Sequence, residues 1–246
     1  MTRTLFFGAA LLLGLAAAPA ARAQSVELTM DIFTSSVLSQ TTTLLNQNAL
    51  EASYRNSGRT AGASGRSSTR AARPAASTAF TPTPAARQQA LAQQNAGKPA
   101  ATAQQFTAAF GPGGSTDYTV LYRKLLAGSG LRENDVADAF AAYLVATYRV
   151  AHGEAPAGAL LPASGSAGVR RQFAPAVANV LSGKSATAAA ALGEYLKLQT
   201  ALLAVGAQGS PASLVAFRRN VASTLKQRFQ LDVMQLTLTS QGLVKQ

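Results

Sequence analysis

The sequence contains no cysteine, no tryptophan and only one histidine, His152. Without thiols there can be no disulfide, no thiolate metal site, no cysteine nucleophile and no lipid-modified cysteine. A single histidine excludes a His-rich metal cluster, and the lack of indole removes the usual aromatic platform. Acidic residues are also scarce: 10 Asp and Glu stand against 22 Lys and Arg, a formal net charge of +12. Such a balance favours anionic partners or surfaces without naming one. What is present is a chain of 246 residues, 48% hydrophobic and rich in alanine. At roughly 100–200 residues per domain that length allows one or two domains.

Residues 1–23 read as a secretory signal peptide. Arg3 supplies the positive start, and Leu5 to Ala18 form an apolar run too short to span a bilayer comfortably. Pro19 breaks the run, and Ala21-Arg22-Ala23 gives an A-x-A cleavage pattern before Gln24. No later stretch approaches the ~20 apolar residues of a transmembrane helix. The expected product is an exported, soluble protein, periplasmic or extracellular. Its stability must come from packing, since it has no disulfide to draw on.

The remaining chain changes character twice. In 24–53, Val26, Leu28, Met30 and Ile32 alternate with Glu27, Thr29 and Asp31, a short strand-like pattern. Val37, Thr41, Leu44, Leu45 and Asn48 then follow at helical spacing. Residues 54–77 are mostly Ser, Gly, Ala, Thr and Arg, with one tyrosine, Tyr54, and no large aliphatic side chain. Nothing there offsets the entropy of ordering, so this composition predicts a disordered basic linker. Its five arginines, Arg55, Arg59, Arg66, Arg70 and Arg73, face no acid.

From 78 to 246 the patterning is helical. Thr83 before Pro84 is an N-cap followed by the proline-tolerant first position, and Gly97 lies past the end. A second helix stops at Phe110 before Gly111-Pro112. Tyr118, Leu121, Tyr122, Leu125 and Leu126 form an apolar stripe, with Ser115 as its expected cap. Val136, Phe140, Tyr143, Leu144 and Thr147 share a face behind Asn134, ending at His152-Gly153. Residues 154–166 look like a loop. Val169, Phe173, Val177 and Val180 mark a helix kinked or restarted at Pro175. Ser185 and Ser210-Pro211 open two more, and Leu231, Val233, Leu236 and Leu238 suggest an extended strap. The expected fold is all-α: a compact bundle of about six helices with a short extended C-terminal strap.

The run Ala79-Phe80-Thr81-Pro82-Thr83-Pro84 with Arg87, the stretch Gly130 to Phe140 and the pair His152-Gly153 resemble a family of exported bacterial proteins of unknown function. The resemblance covers about Thr78 to Val244 and is most specific at Asn134-Asp135-Val136-Ala137-Asp138-Ala139. It implies a signal peptide, a low-complexity stretch and a C-terminal helical domain. It implies no activity, cofactor or functional residue.

Few residues are candidates for chemistry. Ser182-Gly183-Lys184-Ser185 looks like the end of a P-loop, but Ala178 stands where that motif needs its first glycine, and a helical pattern replaces the preceding strand. A helix stop and a new cap explain it, and no nucleotide is expected. Leu161-Pro162-Ala163-Ser164-Gly165 echoes a sorting signal that lacks the apolar span and basic tail it requires, and reads as loop. Gly111 to Gly114 reads as a helix break. His152 has no G-x-S-x-G partner, and a histidine at a helix C-terminus is favoured by the dipole alone. Glu133, Asp135 and Asp138 cluster, and paired carboxylates cleave glycosidic bonds. Glu133 and Asp138 are therefore the catalytic candidates of the alternative, a cell-wall hydrolase, which would need a second carboxylate across a cleft; Glu154 and Glu194 are the candidates for it, and nothing in the spacing links them. Acidic residues at a helix start are otherwise common capping groups.

The basic residues carry more physical weight. The linker arginines together with Arg170, Arg171, Arg218 and Arg219 are the candidate binding residues for an anionic wall polymer or membrane surface. The expected function is non-catalytic binding or scaffolding in the envelope, without metal or cofactor.

Overall fold

A computed structural model describes residues 77–154, 160–229 and 231–245. The segments 1–23, 24–53 and 54–76, with the linker arginines Arg55, Arg59, Arg66, Arg70 and Arg73, lie outside the described residues.

Among the described residues seven helices follow one another: α1 Pro84–Asn95, α2 Ala100–Phe110, α3 Tyr118–Leu126, α4 Val136–His152, α5 Ala163–Leu181, α6 Ala186–Gly206 and α7 Pro211–Phe229. A 3-10 turn at Val233–Gln235 leads into an antiparallel hairpin, β1 Leu236–Thr239 with β2 Gly242–Lys245. The all-α expectation is met, and the extended strap is this two-stranded hairpin.

The helix starts are chemically explicit. Thr83 Oγ1 accepts from the Ala86 N–H, with Pro84 at the first helical position, and Ser185 caps α6 through the Ala188 N–H. Two caps differ from the expectation. Asp117, not Ser115, caps α3, and Asp135, not Asn134, caps α4 through the Asp138 N–H. An ionised carboxylate accepts more strongly than a hydroxyl or amide and complements the N-terminal dipole. Gly153 closes α4 with φ 73°, a left-handed cap that a residue with a Cβ adopts only under strain.

Helix α5 is a correction. It begins at Ala163, inside the stretch expected to be loop, and runs to Leu181 through Pro175 without restarting. The gain is tertiary. Gly165 and Gly168 open a flat strip on which the hairpin lies: a Cβ at Gly168 would come within 2.5 Å of the Gly242 nitrogen, and one at Gly165 within 2.9 Å of Leu238. Gln172 holds the same strand, donating to the Leu243 carbonyl at 3.0 Å and accepting its N–H at 2.9 Å. The hairpin can seat only if α5 continues under it.

Helices α4 and α6 pack against each other at the centre. Every residue from Val136 to Tyr148 is buried, as is every residue from Ala190 to Gly206. Both are predominantly apolar on every side, as interior helices are, and the few polar side chains they bury, such as Asp138, Glu194 and Lys197, are paired. On one side, α5, α7 and the hairpin close over α4, with Phe140 meeting Phe173 edge-on at 5.7 Å. On the other, α1, α2 and α3 close over α6, where Phe106, Phe110, Tyr118, Leu198 and Leu202 form a second cluster. Truncating a buried Phe of this kind to Ala costs about 3–5 kcal/mol. The chain before α1, residues 77–83, crosses this centre as an extended strap.

Candidate functional site

Where the strap, the loop before α4 and the midpoint of α6 meet, the fold collects its charges. The loop is shaped locally: Ser129 Oγ donates to the Leu126 carbonyl and accepts the Leu131 N–H, while Gly130 takes φ 75°. This turns Arg132 back over the start of α4. The Arg132 backbone N–H and Nε both donate to Asp138 Oδ2, at 3.1 and 2.7 Å, and Nη2 donates to Asp135 Oδ2 at 2.7 Å. Arg170 from α5 donates its Nε to the other Asp138 oxygen. Thr78 of the strap donates to Asp135 Oδ2 at 2.8 Å. Glu133 takes a two-pronged contact from Arg123, 3.0 Å from Nε and 3.1 Å from Nη2.

A second cluster sits deeper. Glu194 and Lys197, one turn apart on α6, are 2.9 Å from each other and essentially without solvent exposure. The Tyr118 hydroxyl donates to the second Glu194 oxygen at 2.7 Å. Lys197 Nζ also donates to Asn134 Oδ1 at 2.7 Å and lies 4.9 Å from the centre of the Phe80 ring. Arg87 Nε approaches Glu194 at 3.9 Å. Nearby, Gln199 donates to Gln94 at 2.7 Å, joining α6 to α1.

Electrostatics follow from these partners. Arg123 beside Glu133 holds that carboxyl below the ordinary value. Burial lowers Lys197, with Glu194 opposing. Burial and the surrounding carboxylates push the Tyr118 and Tyr122 phenols well above their ordinary range, so both stay neutral. A general acid working near neutrality needs a carboxyl raised towards that pH. Glu133 is moved the other way, and Asp138 is 1% exposed between two guanidinium groups.

The chain belongs to DUF6683, a family of unknown function. That family's model matches residues 1–246. No curated protein and no solved structure matches the chain.

In this DUF6683 member the sequence candidates fall in separate places. Glu133 and Asp138 are each engaged with different arginines. Glu154 is exposed just past the far end of α4, and Glu194 is sealed with Lys197. His152 is half-buried, its Nε2 3.0 Å from the Val233 carbonyl and its ring stacked on Tyr148 at 4.3 Å. Ser182 to Ser185 form the turn into α6, with Gly183 at φ 78°. Gly111 to Gly114 form the turn into α3, where the Gly113 N–H donates to Asp117.

Of the candidate binding arginines described, Arg170 is committed to Asp138, and Arg171 is exposed and donates to the Ser240 carbonyl at 2.7 Å. Arg218 is half-buried against Gly153, and Arg219 is exposed on α7. Among the described residues no group of His, Cys, Asp and Glu could hold a metal ion. A half-open cavity of about 360 Å³ lies beside the deep cluster, lined by Ala79, Phe80, Thr81 and Thr83 on one side and Ala186, Thr187 and Ala190 on the other.

The deep Glu194–Lys197 pair and its Tyr118 partner are absent from the sequence reading as a unit. One signal for them exists: these are the two charges inside the otherwise uncharged run Ala186–Gly206.

Proposed function

We propose that this is an exported, non-catalytic envelope protein that binds or scaffolds, using unpaired basic charge to contact an anionic polymer or lipid surface. One observation carries the reading: the way the fold spends its carboxylates. Residues 77–245 hold 15 Lys and Arg but 7 Asp and Glu. The carboxylates of Asp117, Glu133, Asp135, Asp138, Glu194 and Asp232 are all taken up by hydrogen bonds or ion pairs within the domain. Exposed cations such as Lys124, Lys184 and Arg219 have no carboxylate partner among the described residues. The linker arginines add further positive charge ahead of it. Export is supported by the charged, apolar and A-x-A succession of residues 1–23.

Contacts of this kind release counterions, so their affinity falls steeply with salt. The purified protein is expected to co-sediment with anionic vesicles or wall fragments at low salt and to be released as salt rises. Deleting 54–77 should remove most of that binding and lower the salt needed to elute the protein from a cation exchanger. Salt-independent binding, or binding unchanged by the deletion, overturns the proposal. So does release of muropeptides from peptidoglycan that is lost in Glu133→Gln or Asp138→Asn, which would make the protein a wall hydrolase.

A further inference from the structure

Residues 77–83 are held to the domain differently from everything that follows them. Ahead of the Thr83 cap, two backbone hydrogen bonds attach them, Phe80 N–H to the Asn134 carbonyl at 3.0 Å and Val136 N–H to the Thr78 carbonyl at 2.8 Å. One side-chain bond, Thr78 to Asp135, lies beside them. The rest of the attachment is the Phe80 ring. It rests on Gly193 so closely that a Cβ there would fall 2.2 Å from the ring, and it lies over the Lys197 ammonium. Phe80 also lines the half-open cavity, so part of the strap borders open space rather than packed core.

The link from the strap to α1 is Thr81-Pro82-Thr83-Pro84. Two prolines restrict φ, and Thr83 is extended at φ −128° and ψ 151°. The four residues form a stiff arm anchored at the capped start of α1. Displacing Ala79 and Phe80 breaks two backbone bonds and a ring contact without breaking any hydrogen bond inside a helix.

We propose that this strap is a displaceable clamp. It opens as a unit while the helical core stays folded, and its opening admits solvent to the Glu194–Lys197 pair. The glycine at 193 is what the device requires. Elsewhere in a helix interior alanine is the better helix former, but here only a residue without a Cβ leaves a seat for Phe80. The chain preceding Ser77 thereby has a handle on the most deeply buried charges of the domain. Displacement of the strap from its N-terminal side meets the Thr78 contacts first and then the Phe80 ring.

The test uses hydrogen exchange on the full-length protein, together with reductive methylation of lysines read by peptide mass spectrometry. In the native protein the amides of Phe80 and Val136 should exchange through an opening that leaves Leu198 and Leu202 protected. In Gly193→Ala the strap amides should exchange at least about tenfold faster while the α6 amides keep their protection, and methylation of Lys197 should rise in parallel. Phe80→Ala removes the ring without touching α6 and should raise Lys197 methylation in the same way, which keeps the test decisive if Gly193→Ala does not fold. Two results overturn the proposal. One is exchange of Phe80 and Val136 only together with the core amides, at a common rate. The other is a Lys197 that stays unmethylated in folded Phe80→Ala.

Discussion

Lys197 Nζ and Glu194 Oε1 stand 2.9 Å apart on one face of α6, with 1% and 0% of their side chains exposed. A buried pair of this kind is held together as much by what surrounds it as by its own attraction. Tyr118 and Asn134 supply the hydrogen bonds that the two charges lose on leaving water. The arrangement ties α3, α6 and the loop before α4 to a single point.

Removing one partner should therefore be far worse than removing both. Lys197→Met leaves a buried carboxylate and is expected to cost about 3–5 kcal/mol. Tyr118→Phe removes one hydrogen bond to a charged acceptor and should cost about 1.5–3 kcal/mol. The double variant Glu194→Gln/Lys197→Met should recover most of the single loss. Urea denaturation of the native protein, Glu194→Gln, Lys197→Met and the double variant checks the cycle, with Tyr118→Phe beside it, and a double variant that costs the sum of the two singles would contradict it.

Asp138 carries a different expectation. Its two arginines are partly exposed, Arg132 by more than half and Arg170 by a third, so solvent screens much of the pairing. Asp138→Asn should cost about 1–3 kcal/mol, most of it from donors left with a weaker acceptor. The same variant should leave anionic-surface binding unchanged or slightly stronger, since it removes a negative charge. Equilibrium unfolding and vesicle co-sedimentation measure the two effects on one sample.

The hairpin depends on the absence of a side chain. Gly168→Ala would press a methyl group against the Gly242 nitrogen and the Ser240 carbonyl, both backbone atoms that cannot rotate away. The expected cost is about 1–3 kcal/mol, despite the better helix propensity of alanine. Hydrogen exchange should localise the damage to residues 236–245, with α4 and α6 still protected. A stabilised variant would show that the hairpin gives way at no cost.

Acid should weaken the domain in a defined window. The Glu133 carboxyl is held below its ordinary 4.5 by Arg123. Burial would raise Asp117, but the Thr119 hydroxyl and the N–H groups of Gly113, Thr119 and Val120 outweigh it and hold the carboxyl below 3.8. A carboxyl depressed by folding contributes stability that is full above its unfolded pKa and lost as pH falls through the folded one. Stability should be level from neutrality to about pH 5 and decline below about pH 4. Glu133→Gln should make the decline shallower. Urea midpoints across the range provide the measurement.

Much of the helical layout is legible in single residues. Thr83-Pro84 and Ser185 cap as their chemistry requires, the Ser213 N–H reaches Ser210 Oγ at 3.4 Å at the start of α7, and Gly153 ends α4. These signals are local, and so survive without knowledge of the fold. The misjudged elements all depend on distant partners. Ser164, Gly165 and Ser166 have weak helix preference and Pro175 lacks a donor, yet α5 is unbroken because the hairpin, some seventy residues later, rests on its glycine strip. Asn134 has the chemistry of a cap, but its side-chain oxygen accepts from Lys197, 63 residues away, and Asp135 caps α4 instead.

By itself the sequence determined the helical class, most caps and stops, the surplus of positive charge and the chemistries that lack their residues. Periodicity, capping and charge act over a few positions or add up without geometry. Tertiary structure alone decided that Glu194 and Lys197 meet Tyr118 and Asn134 in the interior, that Asp138 is shared by two arginines, and that Phe80 needs a glycine beneath it. Those outcomes depend on which helix faces pack together, and desolvation then makes each surviving polar contact obligatory.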